Sequence, residues 1–180
     1  EACSMIIRHA KRDEYGTIAS LIEEAFRDSA VSLGHEVQFV EILRSSDAYI
    51  PGLEYVAVDD DSGLIVGHII LSVLPISHGN SSIRGLLLAP LSVRPEFQHR
   101  GIGTALVERS IADAVSQGYR GIFLVGDPEY YSRFGFVPAV TAGIRNRSVY
   151  PDEYVLFRPL DESLGADLKD GSPYSVVLPG

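Results

Sequence analysis

The chain has 180 residues, of which 46% are hydrophobic and 22% are charged, a composition typical of one soluble globular domain. Its formal net charge of −9 makes nucleic acid a poor expectation for a partner and favours a cationic one. A single cysteine, Cys3, excludes an internal disulfide, and the five scattered histidines have no ligand spacing, so we expect no metal site.

No targeting or membrane segment is visible in the sequence. The start lacks a basic region followed by an apolar stretch, and the longest apolar run, residues 64–76, is too short to cross a bilayer. We therefore expect a cytoplasmic protein without a membrane partner. Because no repeat or linker divides the chain, the prediction is one domain over residues 1–180, with a core at about 5–160 and an unassigned tail at 161–180.

The first half of the chain predicts two helices between strands. Met5–Arg8 is expected to form a short strand, and apolar residues at helical spacing predict helices over Asp13–Arg27 and Glu36–Arg44. Tyr55–Val58 and Leu64–Leu74 flank an acidic turn and predict an antiparallel hairpin.

The second half continues this alternation, which predicts an α/β fold with a mixed sheet and helices on both faces. A proline removes a hydrogen-bond donor from a strand, so Pro90 is expected at a bulge or an unpaired position. The predicted strands are Arg84–Val93, Gly121–Val125, Phe136–Ala139 and Tyr154–Arg158, and the predicted helices are Gly103–Gln117 and Glu129–Phe134, the latter closed by Gly135.

The strongest local pattern is LSVRPEFQHRGIGT at residues 91–104. A strand ends at Val93, and a helix opens around Gly101–Gly103. Unpaired N–H groups and the positive end of the dipole make a helix start a good phosphate site, and glycine lets the backbone approach an anion closely. His99 and Arg100 add donors. The pattern therefore indicates an anion-binding turn.

Two other glycine-rich motifs fail at this turn. A dinucleotide fingerprint needs a small residue where Leu106 stands, and a Walker-type loop needs a lysine that the segment lacks. A bare G-x-G is also common at tight strand-to-helix corners, so the glycines alone do not decide between a corner and a binding site.

Two segments together resemble the GNAT acyltransferases. QHRGIG at residues 98–103, after LSVRP at 91–95, is similar to the acetyl-CoA signature of that family, and YYSRFGF at 130–136 is similar to its F-Y-x-x-x-G-F segment. The stretch GDPEYYSRFGF at 126–136 resembles the YhbS-type branch of predicted acetyltransferases. The resemblance implies the GNAT fold, an α/β fold with a mixed, mostly antiparallel sheet of about six to seven strands.

The resemblance also implies a function: transfer of an acetyl group from acetyl-CoA to a primary amine by direct attack in a ternary complex. The acceptor is then a small molecule or a peptide, and a homodimer is left open. Tyr131 occupies the position of the family's general acid. Pro90 would make the bulge that splays Leu91–Val93 from the neighbouring strand, so that their backbone can pair with pantetheine. The implied cofactor-binding residues are Leu91, Ser92, Val93, Gln98, His99, Arg100, Gly101, Ile102, Gly103 and Thr104.

The sequence leaves the general base unassigned. The candidates are Glu54, His68, Asp127 and Glu129. His68 lies in an apolar strand, where a hydrogen-bonded core histidine is the favoured interpretation, and Glu129 suits a helix start. A non-catalytic acyl-CoA sensor of the same fold is the alternative function, and Tyr131 favours the enzyme over it.

Overall fold

The computed structural model describes residues 4–30, 32–169 and 173–180. Its contacts divide the chain into two compact units. The first unit comprises Glu1–Leu71 and Pro90–Ser110, and the second comprises Ser72–Ala89 and Ile111–Gly180.

The structure contains strands and helices in the alternation that the sequence predicts. The strands are β1 (Met5–His9), β2 (Tyr49–Asp59), β3 (Ile65–Val73), β4 (Ile76–His78), β5 (Ser81–Ile83), β6 (Gly85–Val93), β7 (Gly121–Val125), β8 (Val137–Pro138), β9 (Ile144–Asn146), β10 (Val155–Pro159) and β11 (Tyr174–Val176). The helices are α1 (Tyr15–Phe26), α2 (Glu36–Arg44), α3 (Ile102–Ser116), α4 (Pro128–Tyr131) and α5 (Glu162–Lys169).

Seven strands form the main sheet in the order β1-β2-β3-β6-β7-β10-β8. β6 pairs with β7 in parallel, whereas β1–β2, β7–β10 and β10–β8 are antiparallel. A smaller sheet has the order β5-β4-β11-β9. The predicted α/β fold with a mixed, mostly antiparallel sheet is confirmed.

The first unit has its apolar core under α1 and α2. Apolar residues spaced three to four positions apart line one face of each helix, and this face points at the sheet, as in amphipathic helices. Burial of this face removes apolar surface from water, and that is the main stabilising contribution of the two helices. The core cluster consists of Ile18, Leu21, Ile22, Val40, Leu43, Val56, Ile65 and Ile70.

The opposite face of the first unit packs on α3 at Gly67. A Cβ built on Gly67 would lie 2.9 Å from Ile102 Cγ2 and 2.9 Å from Leu106 Cδ1. A side chain at position 67 would therefore have to displace the Ile102 and Leu106 side chains of α3. The contact fixes the start of the helix at which the sequence predicts anion binding.

Gly67→Val should therefore destabilise the protein by about 1–3 kcal/mol, because the added methyl groups overpack this contact. The free energy of unfolding from urea titration measures the effect. Gly16→Ala in the first turn of α1 is the control, because a Cβ there meets nothing within 4 Å, and alanine is a better helix former than glycine. Equal stability of Gly67→Val and the parent protein would contradict the close contact between β3 and α3.

Several predicted bounds were wrong, for physical reasons. β2 begins at Tyr49 instead of Tyr55. The sequence prediction missed its first residues because Pro51 and Gly52, which are typical strand breakers, lie inside the strand. The strand expected at Phe136–Ala139 is reduced to β8, since a 3-10 turn starts at Ala139 and ends at Gly143 with φ +88°. Four short strands and one helix were not predicted from the sequence: β4, β5, β9, β11 and α5.

Candidate active site

The predicted anion-binding turn connects β6 to α3. A 3-10 turn follows β6 at Pro95–Phe97, and α3 begins at Ile102. The Gln98 side chain donates from Nε2 to the Val93 carbonyl at 3.3 Å, which ties the turn to the end of the strand. Arg94 fixes the same corner, because its Nε donates to the Ile65 carbonyl at 2.7 Å.

The first N–H groups of α3 have no carbonyl within the helix to act as their hydrogen-bond acceptor. The Ala105 N–H donates to the Gly101 carbonyl at 3.0 Å, so the amides of Ile102, Gly103 and Thr104 precede the helical hydrogen-bond ladder. α3 has 15 residues, long enough for a helix dipole to favour negative charge at this end.

The loop in front of these amides is exposed and conformationally special. Residues 98–101 are all exposed. Gly101 has φ +83°, and His99, at +63°, is the non-glycine residue with positive φ in the described part of the chain. The Arg100 guanidinium lies 4.9 Å from the centre of the Phe97 ring, beside the same loop. The turn thus combines amides that precede the helical ladder with an exposed loop that contains a positive charge.

β6 contains a bulge between Gly85 and Arg94, the stretch that includes Pro90. Near one end of the strand the Leu74 N–H donates to the Gly85 carbonyl at 2.9 Å, and near the other the Arg94 N–H donates to the Val66 carbonyl at 2.8 Å. Between these bonds there are eight steps along β3 (66 to 74) and nine along β6 (85 to 94). One extra residue on one strand is a β-bulge.

The segment after Pro90 has an unusual buried hydroxyl. Ser92 is buried, and its Oγ has no hydrogen-bond partner among the described residues, while Leu91 and Val93 are half-buried. The described pairing of β6 with β7 covers Gly85–Leu87, although β6 itself continues to Val93.

Tyr131 ends α4 in the second unit. Its ring packs edge-on against Tyr130 and Phe136, with centroid distances of 4.9 Å and 5.8 Å. A Cβ on Gly126 would lie 2.8 Å from Tyr131 Cε2, so glycine at 126 makes room for the ring. Burial raises the pKa of the Tyr131 phenol above its ordinary value of 10.0, with a smaller contribution from Tyr130, so the hydroxyl keeps its proton at neutral pH.

The structure brings the predicted cofactor residues together in one unit. The strand end at Leu91–Val93 and the turn at Gln98–Thr104 both belong to the first unit and are joined by the bond from Gln98 to Val93. Tyr131 belongs to the second unit.

Two of the acidic candidates for the base have local roles at α4. Asp127 is exposed and caps the helix, since its Oδ1 accepts from the Glu129 N–H at 2.9 Å. Glu129 is exposed in the first turn, where the helix dipole favours a carboxylate, as the sequence indicates.

The first unit also buries a polar cluster that the sequence indicates only in part. Glu54 of β2 and His68 of β3 are fully buried, and His68 Nε2 lies 2.8 Å from Glu54 Oε2. Arg44 Nη2 donates to Glu54 Oε2 at 2.5 Å, and the Tyr49 hydroxyl donates to Glu54 Oε1 at 2.7 Å. The Arg44 guanidinium stacks on the Tyr15 ring at 3.5 Å.

The Glu54 carboxylate is ionised in this cluster. Burial alone would raise its pKa, but hydrogen bonds from His68, Arg44 and Tyr49 outweigh it and lower the pKa to about 2. Burial lowers the pKa of His68 below its ordinary 6.5 despite the neighbouring carboxylate. The pair is therefore a carboxylate beside a neutral imidazole at neutral pH.

Among the described residues, no helix is both long and apolar enough to span a bilayer, and no three His, Cys, Asp or Glu side chains group as metal ligands would.

Comparison with known proteins identifies the family. The acetyltransferase (GNAT) domain model matches residues 51–138, a range that includes the turn and Tyr131. The uncharacterized N-acetyltransferase YhbS of Escherichia coli K12 is 30% identical over 130 residues, which are 72% of this chain and 72% of that protein. The chain belongs to the GNAT acetyltransferase family. The uncharacterized N-acetyltransferase YjhQ of the same organism is 31% identical to this GNAT enzyme over 109 residues, 61% of the chain and 59% of YjhQ.

Solved GNAT structures have the same fold. The crystal structure of Escherichia coli YhbS in complex with CoA superposes with a TM-score of 0.82 at 24% identity, covering 99% of this chain and 92% of that one. A GNAT acetyltransferase from Brucella melitensis in complex with acetyl-CoA has a TM-score of 0.66 at 36% identity and covers 74% of this GNAT enzyme and 83% of that chain.

Proposed function

We propose that this GNAT enzyme transfers the acetyl group of acetyl-CoA to a primary amine by direct attack in a ternary complex. One observation carries the proposal: the amides of Ile102, Gly103 and Thr104 precede the helical hydrogen-bond ladder and directly follow the exposed Arg100 in the chain, as suits a pyrophosphate site. The CoA and acetyl-CoA bound in the two related crystal structures support the same ligand here.

The strand end supplies the second part of the proposed site. The described pairing of β6 with β7 stops at Leu87 while β6 continues to Val93, which leaves backbone groups at Leu91–Val93 for the pantetheine arm and for the thioester oxygen. A backbone N–H aimed at the developing oxyanion typically contributes about 3–4 kcal/mol to transition-state stabilisation.

Proton transfers complete the reaction. The amine nitrogen forms a bond to the carbonyl carbon as the carbon–sulfur bond breaks, and Tyr131 donates its proton to the leaving sulfur. An alkylamine is mostly protonated at neutral pH, and releasing the free amine costs roughly 4–5 kcal/mol, so a base must take one proton. The acidic chain, with a net charge of −9, attracts a cationic acceptor of this kind.

A thiol-release assay with acetyl-CoA and a panel of primary amines tests the proposal, together with calorimetric titration of CoA and desulfo-CoA. We expect binding of both ligands and thiol release that depends on an amine. Binding without release for any amine, with Tyr131→Phe unchanged, would indicate a sensor instead. No binding of either ligand would overturn the proposal.

Gly101→Val should weaken CoA binding roughly 10- to 100-fold, because the left-handed backbone at φ +83° disfavours a branched residue and the added side chain blocks the approach of the phosphates. Gly63→Val is the matched control, since Gly63 has φ +72° and a Cβ there, like one at Gly101, would meet nothing within 4 Å. Both variants should lose similar stability, and only Gly101→Val should lose affinity. Equal affinity in the two variants would contradict the assignment of the turn.

The organisation of residues 1–180 as a single N-acetyltransferase domain, the cytoplasmic location and the homodimer stay predictions. The acceptor proposed here is a primary amine on a small molecule or a peptide.

A further inference from the structure

Two buried polar atoms in the first unit lack hydrogen-bond partners among the described residues: His68 Nδ1 and Ser92 Oγ. Buried polar atoms are nearly always paired, so an unpaired atom calls for an explanation. Two such atoms on neighbouring strands indicate a shared site more strongly than either atom alone.

The strand register places these two residues opposite each other. The Arg94 N–H donates to the Val66 carbonyl. With the extra residue of β6 placed at Pro90, as the sequence predicts, the pairing from this bond is regular, and two residues back along β6 and two forward along β3 lead to Ser92 and His68. Directly opposed residues of an antiparallel pair have Cβ atoms about 4.5–5.5 Å apart and point to the same face. Glu54, His68 and Ser92 thus form a row across β2, β3 and β6.

The hydrogen bond to Glu54 fixes the tautomer of His68. An ionised carboxylate only accepts hydrogen bonds, so His68 Nε2 must carry the hydrogen in the 2.8 Å contact. A neutral imidazole then has its lone pair on Nδ1, the atom without a partner. Ser92, at the opposed position on β6, has a hydroxyl that offers both a donor and an acceptor. The pair therefore combines a basic lone pair with a group that can hold water.

We propose that His68 is the general base of the acetyl transfer and acts through one water held between its Nδ1 and the Ser92 hydroxyl, with Glu54 as the residue that positions the imidazole. The inference rests on the proposed acetyl transfer. The acceptor is a primary amine, which enters as an ammonium ion.

The proton inventory of the step balances. The ammonium ion gives one proton through the water to His68 Nδ1, and the free amine attacks the thioester carbon. The amide nitrogen loses its second proton to water, and Tyr131 protonates the sulfur. After product release the imidazolium returns its proton to water and Tyr131 regains one. The Glu54 carboxylate stabilises the imidazolium while it exists, as acidic partners of catalytic histidines do.

The charged surroundings of His68 determine the expected pH dependence. Glu54 from β2 raises the pKa of the His68 ring, and Arg44 from α2 lowers it. The Tyr49 hydroxyl donates to Glu54 and is hydrogen-bonded in turn to the Tyr15 hydroxyl. Burial is the largest effect and lowers the pKa of His68 below 6.5. The neutral, basic form is therefore present at pH 6.5 and above, and the acid limb of kcat must lie below pH 6.5.

The test is His68→Gln, which keeps a donor for Glu54 but has no titratable lone pair. We expect kcat to fall about 100-fold and the acid limb to disappear, with the Kd for CoA within twofold of the parent value. Ser92→Ala should lower kcat about tenfold and keep the acid limb, because the base remains and its water is held less well. His78→Gln in β4 is the matched control, and its kcat should stay within twofold.

A measurement on the unmutated protein covers the case in which His68→Gln fails to fold. Nitrogen-15 NMR of labelled histidine should show His68 protonated at Nε2 and bare at Nδ1. A proton on Nδ1 at neutral pH, or a folded His68→Gln with unchanged kcat and acid limb, would overturn the inference. Absence of thiol release by the parent protein with every amine would instead overturn the proposed function, and the NMR result would distinguish the two failures.

Discussion

Replacement of Tyr131 by phenylalanine is expected to lower kcat about 100- to 10,000-fold and to leave the Kd for CoA within twofold. The range is the usual contribution of a positioned general acid. The pKa of Tyr131 is raised by burial, so the phenol stays protonated across an assay range around neutral pH, and the parent enzyme should show no loss of activity from its ionisation there. Steady-state kinetics and calorimetry on the same preparations measure the two quantities.

Tyr131→Phe should leave the packing intact, because the aromatic ring, which phenylalanine keeps, makes the packing contacts. Its neighbours Tyr130, Phe134 and Phe136 touch the aromatic ring, and no hydrogen bond joins the Tyr131 hydroxyl to another residue in the described ranges. Tyr130→Phe is the matched control, since it removes a hydroxyl from the adjacent ring, and its kcat should stay within about threefold of the parent value. Equal losses in both variants would show that the α4 hydroxyls act on structure, and no loss in Tyr131→Phe would refute its role as the acid.

The sequence predicted best those parts of the molecule whose determinants are local. The predicted bounds of α2, Glu36–Arg44, match the structure because the apolar spacing repeats over the whole helix. The turn at Gln98–Thr104 was predicted because strand end, glycines and helix start are adjacent in the chain. β4, β5, β9 and β11 have three residues each, too few for a period to be recognised.

The buried cluster could not be assembled from the sequence. Glu54 and His68 were named singly as candidates, but their contact depends on the register of β2 against β3, and Arg44 reaches them from α2. No spacing rule links positions 44, 54 and 68.

Arg44→Met should destabilise the protein by about 3–5 kcal/mol at neutral pH. The Glu54 side chain is 1% exposed and that of Arg44 is 10% exposed, so the variant leaves a carboxylate buried without its guanidinium partner. Arg8→Met is the matched control, because the Arg8–Glu14 pair is 33% and 16% exposed, and pairs of that kind contribute at most about 1 kcal/mol.

The pH dependence of the loss identifies Glu54 as its cause. The pKa of Glu54 is lowered from 4.5 to about 2, so its stabilising contribution is complete above pH 4.5 and is lost as the pH falls toward 2. Without Arg44 the pKa rises, and the variant has less of this contribution to lose. Urea titrations at neutral and acidic pH should therefore show that the difference in free energy of unfolding between parent and Arg44→Met narrows below pH 4.5.

The double variant Arg44→Met with Glu54→Gln removes the buried charge and should recover more than half of the stability lost at neutral pH. A double variant as unstable as Arg44→Met would show that the lost packing on Tyr15, and not the uncompensated carboxylate, causes the destabilisation.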